Sequence, residues 1–275
     1  MGDNITRKRL KQIAKVLDPR DKEILQSIYR FRYLTTGQLR RLHFRESATL
    51  TAATRAANRA VAKLRKLSLI DCLERRIGGV RAGSSSFIWG LTEAGFKLFE
   101  TRKNPARKRF FEPSTKFMTH TIAVAELYIR LSEMPDVEVE AVEAEPDCHR
   151  QYAGIGGAPV KLKPDLYTVT LWGDYEDHWF FELDLATESV SRVIRKCGQY
   201  LDYYRSGHEQ RANGVFPFVA WIVPSKKRKE AMMRRMREEL TNTAIFLVST
   251  PDELRELVLE DACGVIGSEE EQHER

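Results

Sequence analysis

The chain has 275 residues, with 45 Lys and Arg against 39 Asp and Glu, and 42 % of its residues are hydrophobic. That length holds two modest domains. No apolar run approaches a membrane span, and no signal-peptide core follows the charged start MGDNITRKRLK, so the expectation is a protein without membrane contact in the cytoplasm.

Cys72, Cys148, Cys197 and Cys263 lie far apart and form no zinc-spaced pair, which argues against a disulfide framework or a zinc knuckle. The formal net charge of +6 hides an asymmetry: residues 1–116 hold 27 Lys and Arg against 10 Asp and Glu, and residues 117–275 hold 18 against 29. A field this positive predicts a polyanion partner, because each phosphate neutralised by Lys or Arg releases condensed counterions. A merely solubilising surface is the plainer alternative.

In chain order, Asp18 is a plausible cap for a helix from Pro19 to Phe31 that carries Ile24 and Ile28 on one stripe. Thr35 and Thr36 offer the N-cap of a short second helix, with Leu39 and Leu42 on one side and Arg40 and Arg41 on the other. A third helix, Thr51 to Leu67, sets Ala53, Ala57, Ala60, Leu64 and Leu67 on a core stripe. Its Arg55, Arg59, Lys63 and Lys66 form a second, basic stripe, and Asn58 is a candidate adenine reader. No Asp or Glu occurs from Ala48 to Ile70, whereas an ordinary solvated face mixes in acids. Strands at Leu69–Leu73 and Phe87–Trp89 flank a hairpin tip with Arg75, Arg76 and Arg81, which reads as a wing. Leu91-Thr92-Glu93-Ala94-Gly95 then opens a closing helix with Phe96 and Phe99. Residues 1–100 therefore read as a winged helix-turn-helix domain, and 101–116 as a basic linker with two prolines.

Residues 117–250 read as α-β-β-β-α-β-α-β: a helix from Lys116 to Ser132, an alternating strand Val137–Val142, a Gly/Pro-rich loop Tyr152–Pro159, and strands Val160–Trp172 and His178–Asp184. A helix Thr187–Arg205, strand Phe216–Val223, helix Lys226–Leu240 and strand Ala244–Val248 complete the run, and 251–275 read as a C-terminal helix and acidic tail. Glu182 and Asp184 share one strand face. A hairpin centred between Asp174 and Tyr175 sets Asp165 opposite Asp184, so that three carboxylates converge, with Glu188 as a possible fourth.

Pro164-Asp165 in one strand and Glu182-Leu183-Asp184 in the next resemble the restriction-endonuclease-like fold, in which two acids hold Mg²⁺ and a lysine helps to activate water. The fold class expected is thus α/β, a winged helix followed by an α+β restriction-endonuclease-like domain. Asp184 stands where that pattern has lysine, and Lys163 or Lys196 is the candidate substitute. A structural salt-bridge cluster, metal binding by Asp165, Glu182 and Asp184 without cleavage, and Mg-dependent hydrolysis by those acids with Lys196 all remain open.

The run Phe181-Glu182-Leu183-Asp184-Leu185-Ala186-Thr187-Glu188-Ser189, followed by Lys196, Tyr200 and Tyr204 on one helix and preceded by a helix containing His120, is similar to the replication-relaxation proteins of actinobacterial and other mobile elements. That resemblance implies a DNA-binding protein of plasmids or integrated elements. The function expected is double-stranded DNA binding as a homodimer, as a transcriptional regulator or replication-associated factor with no cofactor; the alternative is a Mg-dependent endonuclease or nickase.

Overall fold

The computed structural model describes residues 6–77, 86–99, 113–154 and 157–261. It is a mixed α/β protein that divides into two compact units, residues 1–129 and 130–275. The division falls inside a helix, downstream of the expected 116/117 boundary. Among the described residues no helix is long and apolar enough to cross a membrane.

The first unit opens with a helix absent from the sequence expectation, α1 (Arg7–Val16). Helix α2 (Pro19–Phe31) starts at the expected cap: Asp18 accepts from the Asp21 amide at 2.8 Å while Asp21 returns a bond to the Asp18 amide at 3.1 Å. A short strand β1 (Tyr33–Thr35) leads into α3 (Thr36–His43), where Thr35 and Gln38 form a second reciprocal cap. Helix α4 (Leu50–Lys66) buries Ala53, Ala57, Val61 and Leu64. Val61 takes the inward place expected for Ala60, and Ala60 and Leu67 are only half-buried.

Strands β2 (Ile70–Ile77) and β3 (Ser86–Leu91) pair antiparallel, and β1 joins the other edge of β3 to give the order β1-β3-β2. The expected hairpin tip, residues 74–84, begins inside the structure as the end of β2, which runs to Ile77, and its remainder lies outside the described residues. Thr92 caps α5 (Glu93–Lys97) and donates its hydroxyl to the Ser68 carbonyl at 2.6 Å, so the turn after α4 and the turn after β3 are pinned together. A Cβ on Gly95 would sit 2.1 Å from the Leu69 carbonyl oxygen, which is why this position in Leu-Thr-x-x-Gly has no side chain. Phe99 stacks on Tyr29 with ring centres 4.6 Å apart. Helix α6 (Thr115–Ser132) supplies Met118, which is buried with Tyr33, Leu73 and Ile88.

The second unit is built on a five-stranded sheet containing β4 (Glu138–Ala144), β7 (Leu166–Trp172), β8 (Tyr175–Leu183), β9 (Phe218–Ile222) and β10 (Phe246–Ser249), in the order β10-β9-β8-β7-β4. β10, β9 and β8 run parallel, and β8, β7 and β4 antiparallel. The expected loop Tyr152–Pro159 and strand Val160–Trp172 are corrected: β5 (Arg150–Ala153) and β6 (Pro159–Leu162) form their own hairpin, and the chain leaves strand geometry before Asp165 and re-enters it in β7. Helix α7 (Val190–Ser206), a short α8 (His208–Asn213) and α9 (Lys226–Glu239) complete the unit. Tyr200, Val193 and Cys197 of α7 and Met232 and Met236 of α9 are buried with Tyr167, Phe180, Val219 and Trp221 of the sheet.

The β7–β8 turn also departs from expectation. Trp172 pairs with Tyr175, leaving a two-residue turn with Gly173 at φ +55°, so the centre lies between Gly173 and Asp174. Glycine accepts that left-handed φ without strain, and the shorter turn wins. Carried one residue past its last pair, Leu166 with Phe181, this register sets Asp165 across from Glu182 rather than Asp184.

Candidate nucleic-acid interface and buried acidic cluster

On α4, Arg55, Asn58, Arg59 and Lys66 are exposed, and no acidic partner meets the three cations among the described residues. At 100° per residue Arg59 and Lys66 lie within ~40° of Arg55, so they share one face about three turns long. Lys63 lies ~80° round from Arg55 on the same wheel, and the structure commits it elsewhere. Its ammonium is 2.9 Å from Asp18 Oδ2 and also contacts the buried Asp21 carboxylate, locking α4 to the capped start of α2. Those two carboxylates hold the Lys63 ammonium above its ordinary range.

Arg41 donates to Glu126 of α6 at 2.5 Å, and Gln38 donates to the Ile122 carbonyl at 3.0 Å, so the polar side of α3 is largely committed to α6. Arg40 is half-buried on α3. Arg75 and Arg76 lie within β2, and Arg81 lies outside the described residues. His43, not singled out by the sequence, bonds Ser27 Oγ at 3.0 Å, and burial followed by the Arg20 and Arg45 charges lowers it to about 4. It is therefore a neutral brace between α3 and α2 at ordinary pH.

In the second unit Glu182 is fully buried on β8. Lys196 of α7 donates to its Oε2, and the buried Tyr200 hydroxyl donates to Oε1 at 2.5 Å. Asp165 Oδ2 accepts from the Leu183 amide at 2.8 Å. Burial raises the Glu182 carboxyl to about 8, with Lys196 opposing the rise and Asp165 adding to it. Burial works against the Lys196 charge, but Glu182 and Asp165 outweigh it and take the ammonium up to about 12. Tyr200 is held well above its ordinary range by burial and by Glu182, so this helical tyrosine is a hydrogen-bond donor and not an activated nucleophile.

Asp184 does not join Asp165 and Glu182. Its Oδ2 accepts from Arg228 Nε of α9 at 2.5 Å and its Oδ1 from the Ala186 amide at 2.9 Å, while Arg228 also donates to the Glu188 carbonyl at 2.8 Å. The Glu188 carboxylate faces Arg192 at 3.4 Å. Lys163 is exposed. Mg²⁺ needs open oxygen ligands in near-octahedral array, yet the oxygens of Glu182 and Asp184 are taken by cations and donors. Among the described residues no three His, Cys, Asp or Glu side chains are arranged to hold a metal. The donor set does not fit the ion. Sequence reasoning found Lys196 but missed Arg228, because a partner 44 residues away on another element leaves no local signal. It also missed Arg150, which bonds Glu143 at 2.9 Å and the buried Glu209 at 3.2 Å while lying 4.7 Å from the Tyr167 ring centre.

A family model described as replication-relaxation matches residues 25–219. No curated protein matches the chain. Among solved structures, the restriction endonuclease FokI bound to DNA shows 12 % identity and a TM-score of 0.25; the alignment covers 92 % of this chain and 45 % of that one, so the chain spans less than half the length of the endonuclease.

Proposed function

The chain belongs to the replication-relaxation family, and from that premise we propose that it is a replication-associated protein that binds double-stranded DNA through its first unit. In this reading α2, α3 and α4 with the three-stranded sheet form a winged helix, and α4 enters the major groove. The observation that carries it is the acid-free face of Arg55, Arg59 and Lys66 with Asn58 beside it, all exposed. Arginine pairs bidentately with guanine and asparagine with adenine, and the same cations take phosphates. The protein acts as a homodimer on paired half-sites, as a regulator or initiator on a plasmid or integrated element, because one recognition helix reads only about one half-site.

The second unit acts as a non-cleaving module. Lys196 beside Asp165 and Glu182 is the one arrangement that favours a nuclease, and the commitment of Glu182 and Asp184 to Lys196, Tyr200 and Arg228 opposes it. Replacing Arg55 and Arg59 by Ala is expected to weaken duplex binding by ~2 kcal/mol or more and to lower its salt dependence. A gel shift in EDTA across a salt series measures both. A folded double variant with unchanged affinity and slope would remove the recognition-helix reading, and Mg-dependent nicking of supercoiled plasmid abolished by Asp165→Ala would install the nuclease instead.

A further inference from the structure

Helix α1 has an unassigned cationic face. From Asn4 to Leu17 the sequence contains no Asp or Glu. The helix begins at Thr6, whose hydroxyl accepts from the Arg9 amide at 3.3 Å, and at ten residues it is ~15 Å long. Its apolar positions, Leu10, Ile13, Ala14 and Leu17, recur at helical spacing, with Ile13 and Leu17 buried. The opposite side is exposed and carries Lys8, Lys11 and Lys15 within ~60° of one another on the helical wheel. None of the three meets an acidic partner among the described residues, and like charges at these spacings repel.

We propose that α1 is a second nucleic-acid contact, in which Lys8, Lys11 and Lys15 hold the phosphate backbone of the duplex beside the segment engaged by α4. The proposal rests on the reading of α4 given above. Position supports it. Asp18, two residues beyond the end of α1, receives the Lys63 ammonium, so the Lys15 end of α1 lies next to the turn of α4 that carries Lys63 and Lys66. The Lys15 end of α1 thus stands near the C-terminal turns of α4, where Lys66 belongs to the face of Arg55 and Arg59. Lysines are point charges suited to phosphate rather than to base edges, so the contact positions the duplex and adds no sequence preference. An anionic membrane is another polyanionic surface that attracts lysines. A helix that binds one inserts its apolar face, and here Ile13 and Leu17 are already buried within the protein.

The test uses the full chain and a duplex of ~30 base pairs, with binding read by fluorescence anisotropy between 50 and 200 mM salt. The variant K8Q/K11Q/K15Q should lower the slope of log K against log salt by ~2 to 3, one counterion per lysine at ~0.9 each. Its ranking of duplex sequences should stay as in the wild type, and K8R/K11R/K15R should retain the wild-type slope. Circular dichroism and an unchanged denaturation midpoint establish that each variant is folded. An unchanged slope in the glutamine variant, alongside a reduced slope in R55A/R59A, would overturn the α1 contact and leave the α4 reading standing. An unchanged slope in R55A/R59A alone would remove the α4 reading and, with it, the flanking role of α1. Binding to phosphatidylserine–phosphatidylcholine vesicles that is lost in the glutamine variant, with the DNA slope unchanged, would give this face to a membrane and overturn the proposal.

Discussion

With Lys196 on one oxygen and Tyr200 on the other, Glu182 is held by donors but pushed by burial, and its response to pH follows from that imbalance. The folded state keeps the proton up to about 8, whereas an ordinary glutamate releases it near 4.5. The folded form therefore binds the proton more tightly: the stabilising contribution is full below the lower value and is lost as pH rises through about 8. Urea midpoints should fall for the wild type between pH 5 and pH 9, and Glu182→Gln should flatten that fall. A wild-type midpoint that rises with pH relative to the glutamine variant would reverse the sign. Asp184→Lys, which places lysine where the nuclease pattern has it, is expected to destabilise instead, by ~2 to 4 kcal/mol, because it buries an ammonium against Arg228 and removes the carboxylate that pairs with that half-buried guanidinium. A stable variant with Mg-dependent cleavage would contradict this.

Among the elements, those marked by local chemistry were legible. Asp18 before Pro19 and the Thr35-Thr36 pair before Leu39 announce their helices because a cap needs only a side-chain oxygen at the right spacing, and the structure gives the second cap to Thr35. The pairing of β7 with β8 was legible only as a face: alternation puts Asp165 and Glu182 on the same side, but it repeats every two residues and cannot choose between registers two apart. Turn length decided the register. The basic stripe of α4 was read as one face with Lys63 in it, and the structure subtracts Lys63 because its partners, Asp18 and Asp21, sit more than 40 residues away. At the junction of α5 with the turn before β2, Gly95→Ala should cost ~1 to 3 kcal/mol, since the added methyl meets a backbone carbonyl that cannot rotate away. A thermal melt of the variant within 1 °C of wild type would show that the turn yields more easily than its two anchoring bonds through Thr92 suggest.

For the molecule as a whole, the charge asymmetry points to two halves but not to where one stops, and the chain divides into two compact units after Ile129. Tyr33, Leu73 and Ile88 are completed by Met118, and Arg41 and Gln38 by Glu126, so α6 up to Ile129 is part of the first unit. A fragment ending at 112 loses these partners and should be less stable than one ending at 132, by ~2 kcal/mol or more for the uncovered apolar side chains and the lost Arg41–Glu126 ion pair. Equal denaturation midpoints for the two fragments would place the contribution of α6 elsewhere.

The same feature has a consequence in time. The first unit is one run of chain whose parts arrive far apart in synthesis: its sheet closes at Leu91, and its last packed helix extends to Ile129. At ~5 to 20 residues per second of synthesis, a nascent chain waits roughly 2 to 8 s between making β3 and making the end of α6. Throughout that interval the face of Tyr33, Leu73 and Ile88 awaits its cover, which makes it the natural landing place for a chaperone on the growing chain.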